Sequence, residues 1–146
     1  MDVRIREFRH YHAKRVAMLI PQLTPRIAEP EKLMTRLEKL DGYLNVYYIV
    51  AKVGRLVIGF GGLVWYPIPS KGMMGWIEEV VVDKPYRGNG VGKRITLHLL
   101  EKAEKLGLVQ VKLTTADDGA RHVYEKCGFV RKEEDLFIRK FYQTAA

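Results

Sequence analysis

The sequence has a single cysteine, Cys127, and lacks any apolar run long enough to cross a membrane. One cysteine excludes an intrachain disulfide and a cysteine-rich metal site. The histidines are scattered, and His10 and His12 are spaced so that they would lie on different faces of a helix. Internal repeats, low-complexity tracts and linkers rich in proline, glycine or serine are also missing. We therefore expect one domain over residues 1–146, without a metal site and without membrane contact.

The distribution of charge limits the classes of molecule that the protein is expected to bind. The first residues, MDVRIREF, contain acidic and basic side chains where a secretory signal needs an apolar core, so we expect a cytoplasmic protein. The net charge is +8 and the pI is about 9.6. Basic residues are spread over both halves of the chain with acids between them, which argues against nucleic-acid binding. The excess of positive charge either steers a small anionic molecule toward the protein or keeps its surface soluble.

The first half of the chain predicts two helices between strands. Alternating apolar residues indicate strands, and prolines mark helix ends. The predicted elements are a strand over Val3–Phe8, a helix over His10–Ile20 ended by Pro21 and Pro25, a helix from Pro30 to Asp41–Gly42, and hairpin strands over Val46–Val53 and Leu56–Trp65. Glycines 59, 61 and 62 within the last strand suggest a bulge or a close backbone neighbour.

The second half predicts a strand–helix–strand crossover, which implies parallel pairing of its two strands. The predicted elements are a strand over Trp76–Asp83, a helix with Val91, Ile95, Leu99, Ala103 and Leu106 on its buried face, a strand over Val109–Leu113, a short helix from Asp117 or Asp118 to Lys126, and a last strand over Leu136–Tyr142. The irregular stretch Tyr66–Gly75 is a candidate substrate loop.

The most specific motif lies where the strand before the crossover helix ends. Residues Val80–Gly92 read VVVDKPYRGNGVG, an apolar run followed by spaced glycines and basic residues. Such a turn leaves backbone N–H groups uncovered, and the next helix adds unpaired donors and the positive end of its dipole. The sequence therefore predicts a site for a diphosphate-like anion. Neither the Walker loop nor the dinucleotide fingerprint GxGxxG fits these residues.

The remaining pattern, Arg-x-x-Gly-x-Gly on Arg87, Gly90 and Gly92, resembles the coenzyme A signature of the GNAT N-acetyltransferase superfamily. The segment YEKCGF from Tyr124 to Phe129 is similar to that family's closing YExxGF block. The resemblance implies an α/β fold with a mixed, mostly antiparallel sheet flanked by helices, whose parallel crossover carries the coenzyme A site. The residues it places against acetyl-CoA are Val80, Val81, Val82, Arg87, Gly88, Asn89, Gly90, Val91, Gly92, Lys93 and Asp117.

Candidate catalytic residues flank this motif. An amine with a pKa of about 10.4 is mostly protonated at pH 7, so acetyl transfer to it needs a base. Glu78 and Glu79 precede the motif, and alternation along a strand lets only one of them face a given side. We hypothesise that one glutamate binds or deprotonates the amine; the alternative is that both solvate a strand end.

The resemblance implies that Tyr124 protonates the leaving thiolate and that the main chain of Val80–Val82 pairs with the pantetheine arm. Packing against Phe129 is the alternative for Tyr124.

One position departs from the family pattern. The family often has asparagine before the helix that carries the tyrosine, whereas this chain has Asp117 and Ala120 there. Asp117 therefore either accepts a hydrogen bond from the pantetheine arm or caps the helix.

The resemblance implies direct transfer of an acetyl group from acetyl-CoA to a primary amine in a ternary complex. Similarity to glucosamine-phosphate acetyltransferases favours a small amino-sugar-like acceptor. Arg131, Lys132 and Arg139 either meet its phosphate or are ordinary surface residues. The alternatives are a protein N-terminal or lysine acceptor, or a non-catalytic domain that binds coenzyme A for regulation. The apolar segment Leu136–Tyr142 would form an exposed sheet edge, so two copies of the chain could pair as a homodimer.

Overall fold

The computed structural model describes residues 1–27 and 29–141. The helices in these ranges are α1 (Ala13–Leu23), α2 (Leu33–Glu38), α3 (Val91–Lys105) and α4 (Asp118–Lys126). The strands are β1 (Val3–Glu7), β2 (Val46–Val53), β3 (Leu56–Ile68), β4 (Gly72–Val82) and β5 (Gln110–Lys112). Short 3₁₀ turns occupy His10–His12, Pro30–Lys32, Leu40–Gly42 and Lys84–Tyr86.

A mixed sheet forms the centre of the fold. Its strands follow the order β1-β2-β3-β4-β5, with antiparallel pairing from β1 to β4 and parallel pairing of β4 with β5. Helix α3 joins the parallel strands, as the crossover pattern requires. The prediction of an α/β fold with a mixed, mostly antiparallel sheet is confirmed.

Apolar side chains cover both faces of the sheet. On one face α3 packs through Val91, Ile95 and Leu99, which recur on one side of the helix as predicted. On the other face α1 and α2 pack against the sheet, with Leu19 and Phe60 fully buried among them. Each such side chain stabilises the fold by about 1.5–3 kcal/mol.

Two predicted helix features differ from the structure. Helix α1 continues through Pro21 to Leu23 instead of stopping at Pro21. Because Pro21 lies in the last turn, its missing N–H removes one backbone bond only, and Thr24 N–H still donates to the Ile20 carbonyl at 3.0 Å. Leu106 follows the last residue of α3 and is exposed, so its predicted place on the buried face is wrong.

The stretch Tyr66–Gly75 is not a loop, and the prediction of a substrate loop there is wrong. Strands β3 and β4 stay paired almost to the turn. The Trp76 indole N–H donates to the Tyr66 hydroxyl across the two strands at 2.6 Å. Pro67 is tolerated because β2 pairs with β3 only from Val64 toward the other end, which leaves this part of β3 at the sheet edge.

The predicted strand over Leu136–Tyr142 is absent as far as Phe141, and Tyr142 lies outside the described residues. The side chains of residues 136–141 are exposed, with Phe137 at 89%. A strand needs a neighbour to satisfy its backbone groups, and within the described chain no strand pairs with this segment. The apolar character of the segment alone was therefore insufficient to form a strand.

Candidate active site

Strand β4 contains a bulge next to α3. Glu79 and Val80 of β4 together oppose Gly61 of β3, and Glu79 takes a left-handed φ of +58°. A side chain at position 61 would place its Cβ 2.8 Å from Ile95 Cγ2, so glycine is needed there for α3 to pack on the sheet. The irregularity that sequence patterns predicted at the glycines of β3 is present opposite Gly61, but the extra residue belongs to β4 and lies at the glutamates.

The bulge places both glutamates on one face. Ile77 and Val80 pack on the side of the sheet covered by α3. The two residues between them, Glu78 and Glu79, therefore point to the face covered by α1 and α2. The prediction that only one of them can face a given side is wrong, because the bulge inserts a residue and breaks the alternation.

The two carboxyl groups influence each other and a neighbouring tyrosine. Burial raises the pKa of Glu78. Burial also raises the pKa of Glu79, and the charge of Glu78 raises it further. Burial, followed by the charges of Glu78 and Glu79, raises the pKa of Tyr48 to about 12. Both glutamates nevertheless reach solvent, so a ligand has access to them.

Strands β4 and β5 separate just before the bulge. They pair only at Met74–Trp76 with Gln110–Lys112, whereas β4 continues to Val82. From Ile77 onward, the backbone groups of β4 that point away from β3 have no strand partner in the described chain. An open strand edge of this kind pairs with an extended ligand that has its own donors and acceptors.

The loop after β4 presents a run of backbone N–H groups. Gly88 and Gly90 take φ of +80° and +75°, and Arg94 N–H donates to the Gly90 carbonyl at 3.0 Å as α3 begins. Across the part of the chain that the structure describes, the N–H groups of residues 88–93 donate to no protein acceptor. Together with the positive end of the α3 dipole, these donors are arranged in a way that can bind an anion.

Side chains of the loop give it its shape. Arg87 Nε donates to the Val82 carbonyl at 2.8 Å, and Arg87 Nη2 donates to Gln22 Oε1 at 3.3 Å. Asn89 Nδ2 donates to the carbonyl three residues earlier at 3.1 Å. Lys93 is exposed in the first turn of α3. Direct contact of Arg87, Asn89 or Lys93 with acetyl-CoA stays a prediction.

Asp83 ties the end of β4 to α1. Its Oδ2 accepts from Arg15 Nη2 at 2.6 Å and its Oδ1 accepts from Gln22 Nε2 at 2.8 Å. Gln22 Oε1 in turn accepts from Lys84 N–H at 2.9 Å. The hydrogen bonds from Gln22 and then Arg15 hold the pKa of Asp83 below its ordinary value. Sequence analysis missed Arg15 and Gln22, because more than sixty residues separate them from Asp83.

Helix α4 lies beside the first turn of α3. The positive charge of Lys93 acts on Cys127, whose thiol pKa is raised mainly by burial. Tyr124 is half-buried, burial raises its pKa, and its ring packs against Phe129 with centroids 6.0 Å apart. Asp117 caps the helix by accepting from Ala120 N–H at 3.1 Å. The packing role of Tyr124 and the capping role of Asp117 are confirmed; their roles toward acetyl-CoA stay predictions.

A pocket of about 310 Å³ lies between the sheet and the helices on the face opposite α3. Its lining residues are Ile20, Thr24, Arg26, Ile27, Leu33, Arg36, Leu37, Leu40, Tyr48, Phe60 and Glu79. The pocket therefore has mostly apolar walls, one carboxylate from the bulge and two cations from the helical side.

The basic residues that sequence analysis proposed for an acceptor phosphate lie elsewhere. Arg131, Lys132 and Arg139 are exposed and take no part in lining this pocket. Arg26 and Arg36 do line it. They were missed because Arg26 lies in a predicted helix break and Arg36 in a predicted helix, and no local pattern reports that either side chain lines a pocket on the sheet.

An open edge between parallel strands, an anion-binding loop at the opening and a pocket on the other face of the bulged strand together define an acyltransferase domain. The model of the acetyltransferase (GNAT) family matches residues 15–129. The chain therefore belongs to this family.

Individual relatives agree with the family. The chain is 43% identical over 67 residues to a probable glucosamine 6-phosphate N-acetyltransferase 2 of Oryza sativa subsp. japonica, covering 46% of this chain and 40% of that protein. The chain thus spans about two fifths of that relative. The structure of glucosamine-6-phosphate N-acetyltransferase from Arabidopsis thaliana shares the fold, with a TM-score of 0.81 at 23% identity over 97% of this chain and 100% of the other.

A third fold relative was solved with the expected co-substrate. A protein described as a predicted acetyltransferase from Clostridium acetobutylicum, with acetyl-CoA, has a TM-score of 0.78 at 19% identity over 94% of this chain and 96% of that one.

Among residues 1–27 and 29–141, no group of three or more His, Cys, Asp or Glu side chains is arranged to hold a metal ion. None of the described helices combines the length and apolar character that a membrane crossing requires.

Proposed function

We propose that this protein is an N-acetyltransferase that moves an acetyl group from acetyl-CoA to a primary amine of a small molecule by direct attack in a ternary complex. The bulge at Glu79 is the observation that carries this proposal. The bulge lies in the part of β4 whose edge is no longer paired with β5. The same bulge places Glu79 in the lining of the pocket. Donor and acceptor sites thus meet at one strand.

The residues present fit acetyl-CoA. The uncovered N–H groups of residues 88–93 suit its diphosphate, and the open main chain of Val80–Val82 suits its amide-bearing pantetheine arm. Gly88 and Gly90 leave open space around the position a Cβ would take. Bound there, acetyl-CoA would supply the thioester that acylates the amine, and a backbone N–H of Val80–Val82 would be the hydrogen-bond donor to its carbonyl.

Glu79 is the residue to which we assign the amine proton. Its carboxylate lines the pocket, and its raised pKa brings it closer to the working pH that a general base requires. Glu78 raises that pKa further through its charge. Tyr124 is the candidate donor of a proton to the departing sulfur.

Turnover tests this proposal. Purified protein is mixed with acetyl-CoA and a panel of aminosugars, polyamines, amino acids and other small amines, and free thiol release is followed. We expect release with at least one small amine. Binding of coenzyme A in a calorimeter without thiol release from any amine or peptide would instead indicate a regulatory domain.

A second candidate acceptor is an amino sugar, which the name of the rice relative favours. A protein N-terminus or lysine is less suited, because a pocket of about 310 Å³ encloses a small molecule. The single-domain organisation and the cytoplasmic location stay predictions.

The Tyr124→Phe variant is expected to lower kcat about tenfold at pH 7, with a smaller effect at pH 9, because a leaving thiolate needs less protonation as the pH rises toward the pKa of its thiol. Phenylalanine keeps the packing against Phe129. Steady-state turnover at both pH values checks this. An unchanged kcat at pH 7 would assign Tyr124 to packing alone.

We also propose that a second copy of the chain covers the apolar segment 130–141. Val130, Leu136, Phe137, Ile138 and Phe141 are each at least 63% exposed. Among residues 1–27 and 29–141, no strand pairs with the outer edge of β5. Burying several such side chains contributes about 1.5–3 kcal/mol each, which is enough to favour association.

The Phe137→Glu variant is expected to raise the dimer dissociation constant about 30-fold, because it puts a charge into the proposed interface. Leu44→Glu is the matched control, since Leu44 is 90% exposed and Phe137 is 89% exposed. Sedimentation over a concentration series measures both. A wild-type monomer at all concentrations, or equal effects of the two changes, would contradict the proposal.

A further inference from the structure

The pocket has two unlike walls. The sheet provides Tyr48, Phe60 and Glu79, and the helical side provides the remaining lining residues. Tyr48 and Phe60 stack with ring centroids 5.3 Å apart and planes inclined by 16°. They form a flat apolar floor, and Leu37 is buried on the helical side above it. A ligand that fills this space contacts carbon on both sides.

The charges of the pocket lie on opposite walls. Glu79 projects from the sheet, whereas Arg26 and Arg36 belong to the helical side. Arg36 Nη2 is already engaged by Glu29 Oε2 at 2.9 Å. Arg26 is exposed, and no described side chain pairs with it by a hydrogen bond or an ion pair. The guanidinium of Arg26 is therefore available to an anion of the ligand.

The middle of the pocket offers few partners to hydroxyl groups. Its neutral polar side chains are Thr24 and Tyr48, and the other uncharged walls are aliphatic or aromatic. A polyhydroxylated ring placed there would lose hydrogen bonds to water without replacing them, at a cost of about 1–3 kcal/mol for each unpaired group. An apolar body would lose none.

We infer that the acceptor is a primary amine joined through an apolar body to an anionic group. The amine lies at Glu79, the body on the Tyr48–Phe60 floor, and the anion at Arg26. This inference rests on the proposed acetyltransferase activity and narrows its acceptor. It separates the protein from relatives named for a phosphorylated amino sugar, which shares the amine and the anion but not the apolar body.

A matched set of amines tests the inference. Acetylation of 4-(aminomethyl)benzoate, benzylamine, glucosamine 6-phosphate and glucosamine is measured by thiol release from acetyl-CoA. We expect kcat/KM for 4-(aminomethyl)benzoate to exceed that for benzylamine by about tenfold or more, the effect of one charge-assisted hydrogen bond to Arg26. We expect a similar excess over glucosamine 6-phosphate, whose hydroxyl groups would lose hydrogen bonds to water in the apolar middle of the pocket. A higher kcat/KM for glucosamine 6-phosphate, or equal values for the benzoate and benzylamine, would overturn it.

Substitutions separate the anion site from general charge. Arg26→Gln is expected to reduce the preference for 4-(aminomethyl)benzoate over benzylamine to near one. Arg55→Gln, which changes an exposed arginine of the β2–β3 turn, is expected to leave that preference intact. An equal loss in both variants, or none in Arg26→Gln, would overturn the assignment of the anion to Arg26.

The failures of the two proposals are distinguishable. Acetylation of glucosamine 6-phosphate or benzylamine without the expected preference overturns the acceptor class and leaves the acetyltransferase activity standing. Absence of thiol release with every amine, while coenzyme A binds in a calorimeter, overturns both.

Discussion

Replacing Glu79 by glutamine is expected to lower kcat/KM for the amine about 1000-fold at pH 7, within the range that removal of a general base produces. Glutamine keeps the size of the side chain and removes its ability to take a proton. Glu79 lines the pocket from a bulge that fixes its backbone at φ of +58°. The bulge thus fixes the backbone position from which Glu79 enters the pocket, and loss of its proton-accepting group is the reason for the large effect.

The pH dependence distinguishes the two glutamates. A base must be ionised, so activity falls as the pH drops through the raised pKa of Glu79. The charge of Glu78 contributes to that raised pKa. In Glu78→Gln the contribution disappears, the pKa of Glu79 falls, and the acidic limb of the profile moves to lower pH.

Profiles of kcat/KM from pH 5 to 9 for wild type and both variants measure these effects. Calorimetric binding of coenzyme A, expected to stay within about threefold of wild type in both variants, controls for the integrity of the fold. A large loss in Glu78→Gln with an active Glu79→Gln would reverse the assignment of the base.

The sequence predicted what depends on local pattern. The buried stripe of α3 with Val91, Ile95 and Leu99 follows from helical periodicity, and the loop before it follows from its glycines. The predictions of the buried stripe and of the loop are confirmed because residues close in sequence determine both features. The parallel pairing of β4 with β5 followed from the chirality and length of the crossover, which are also properties of a short segment.

What depends on distant packing was not predictable. The glycines of β3 predicted an irregularity, but not that the extra residue would lie on β4, where it sets the orientation of Glu78 and Glu79. That placement accompanies the close approach of Ile95 to Gly61. The tie between Asp83 and Arg15 joins residues that are 68 positions apart. The tail 136–141 shows the converse case, since an apolar segment without a partner strand in the described chain forms no sheet.

A Gly90→Ala substitution is expected to raise the Kd for coenzyme A about 100-fold, a loss of roughly 2.7 kcal/mol of binding free energy. Gly90 caps the start of α3 at φ of +75°, next to N–H groups that no described acceptor takes. Alanine strains this conformation and places a methyl group on the surface that the diphosphate must approach. Isothermal titration calorimetry measures the effect.

Gly107→Ala is the matched control at the other end of the same helix. Gly107 also has φ of +75°, and like Gly90 it has no atom within 4 Å of an added Cβ. Both substitutions therefore cost about 1 kcal/mol of folding free energy through backbone strain, which chemical denaturation checks. Only Gly90 lies at the anion-binding end of α3. Equal weakening of coenzyme A binding by the two changes would mean that helix stability, and not the loop surface, controls affinity. Weakening by Gly90→Ala alone places the diphosphate at the N-terminus of α3.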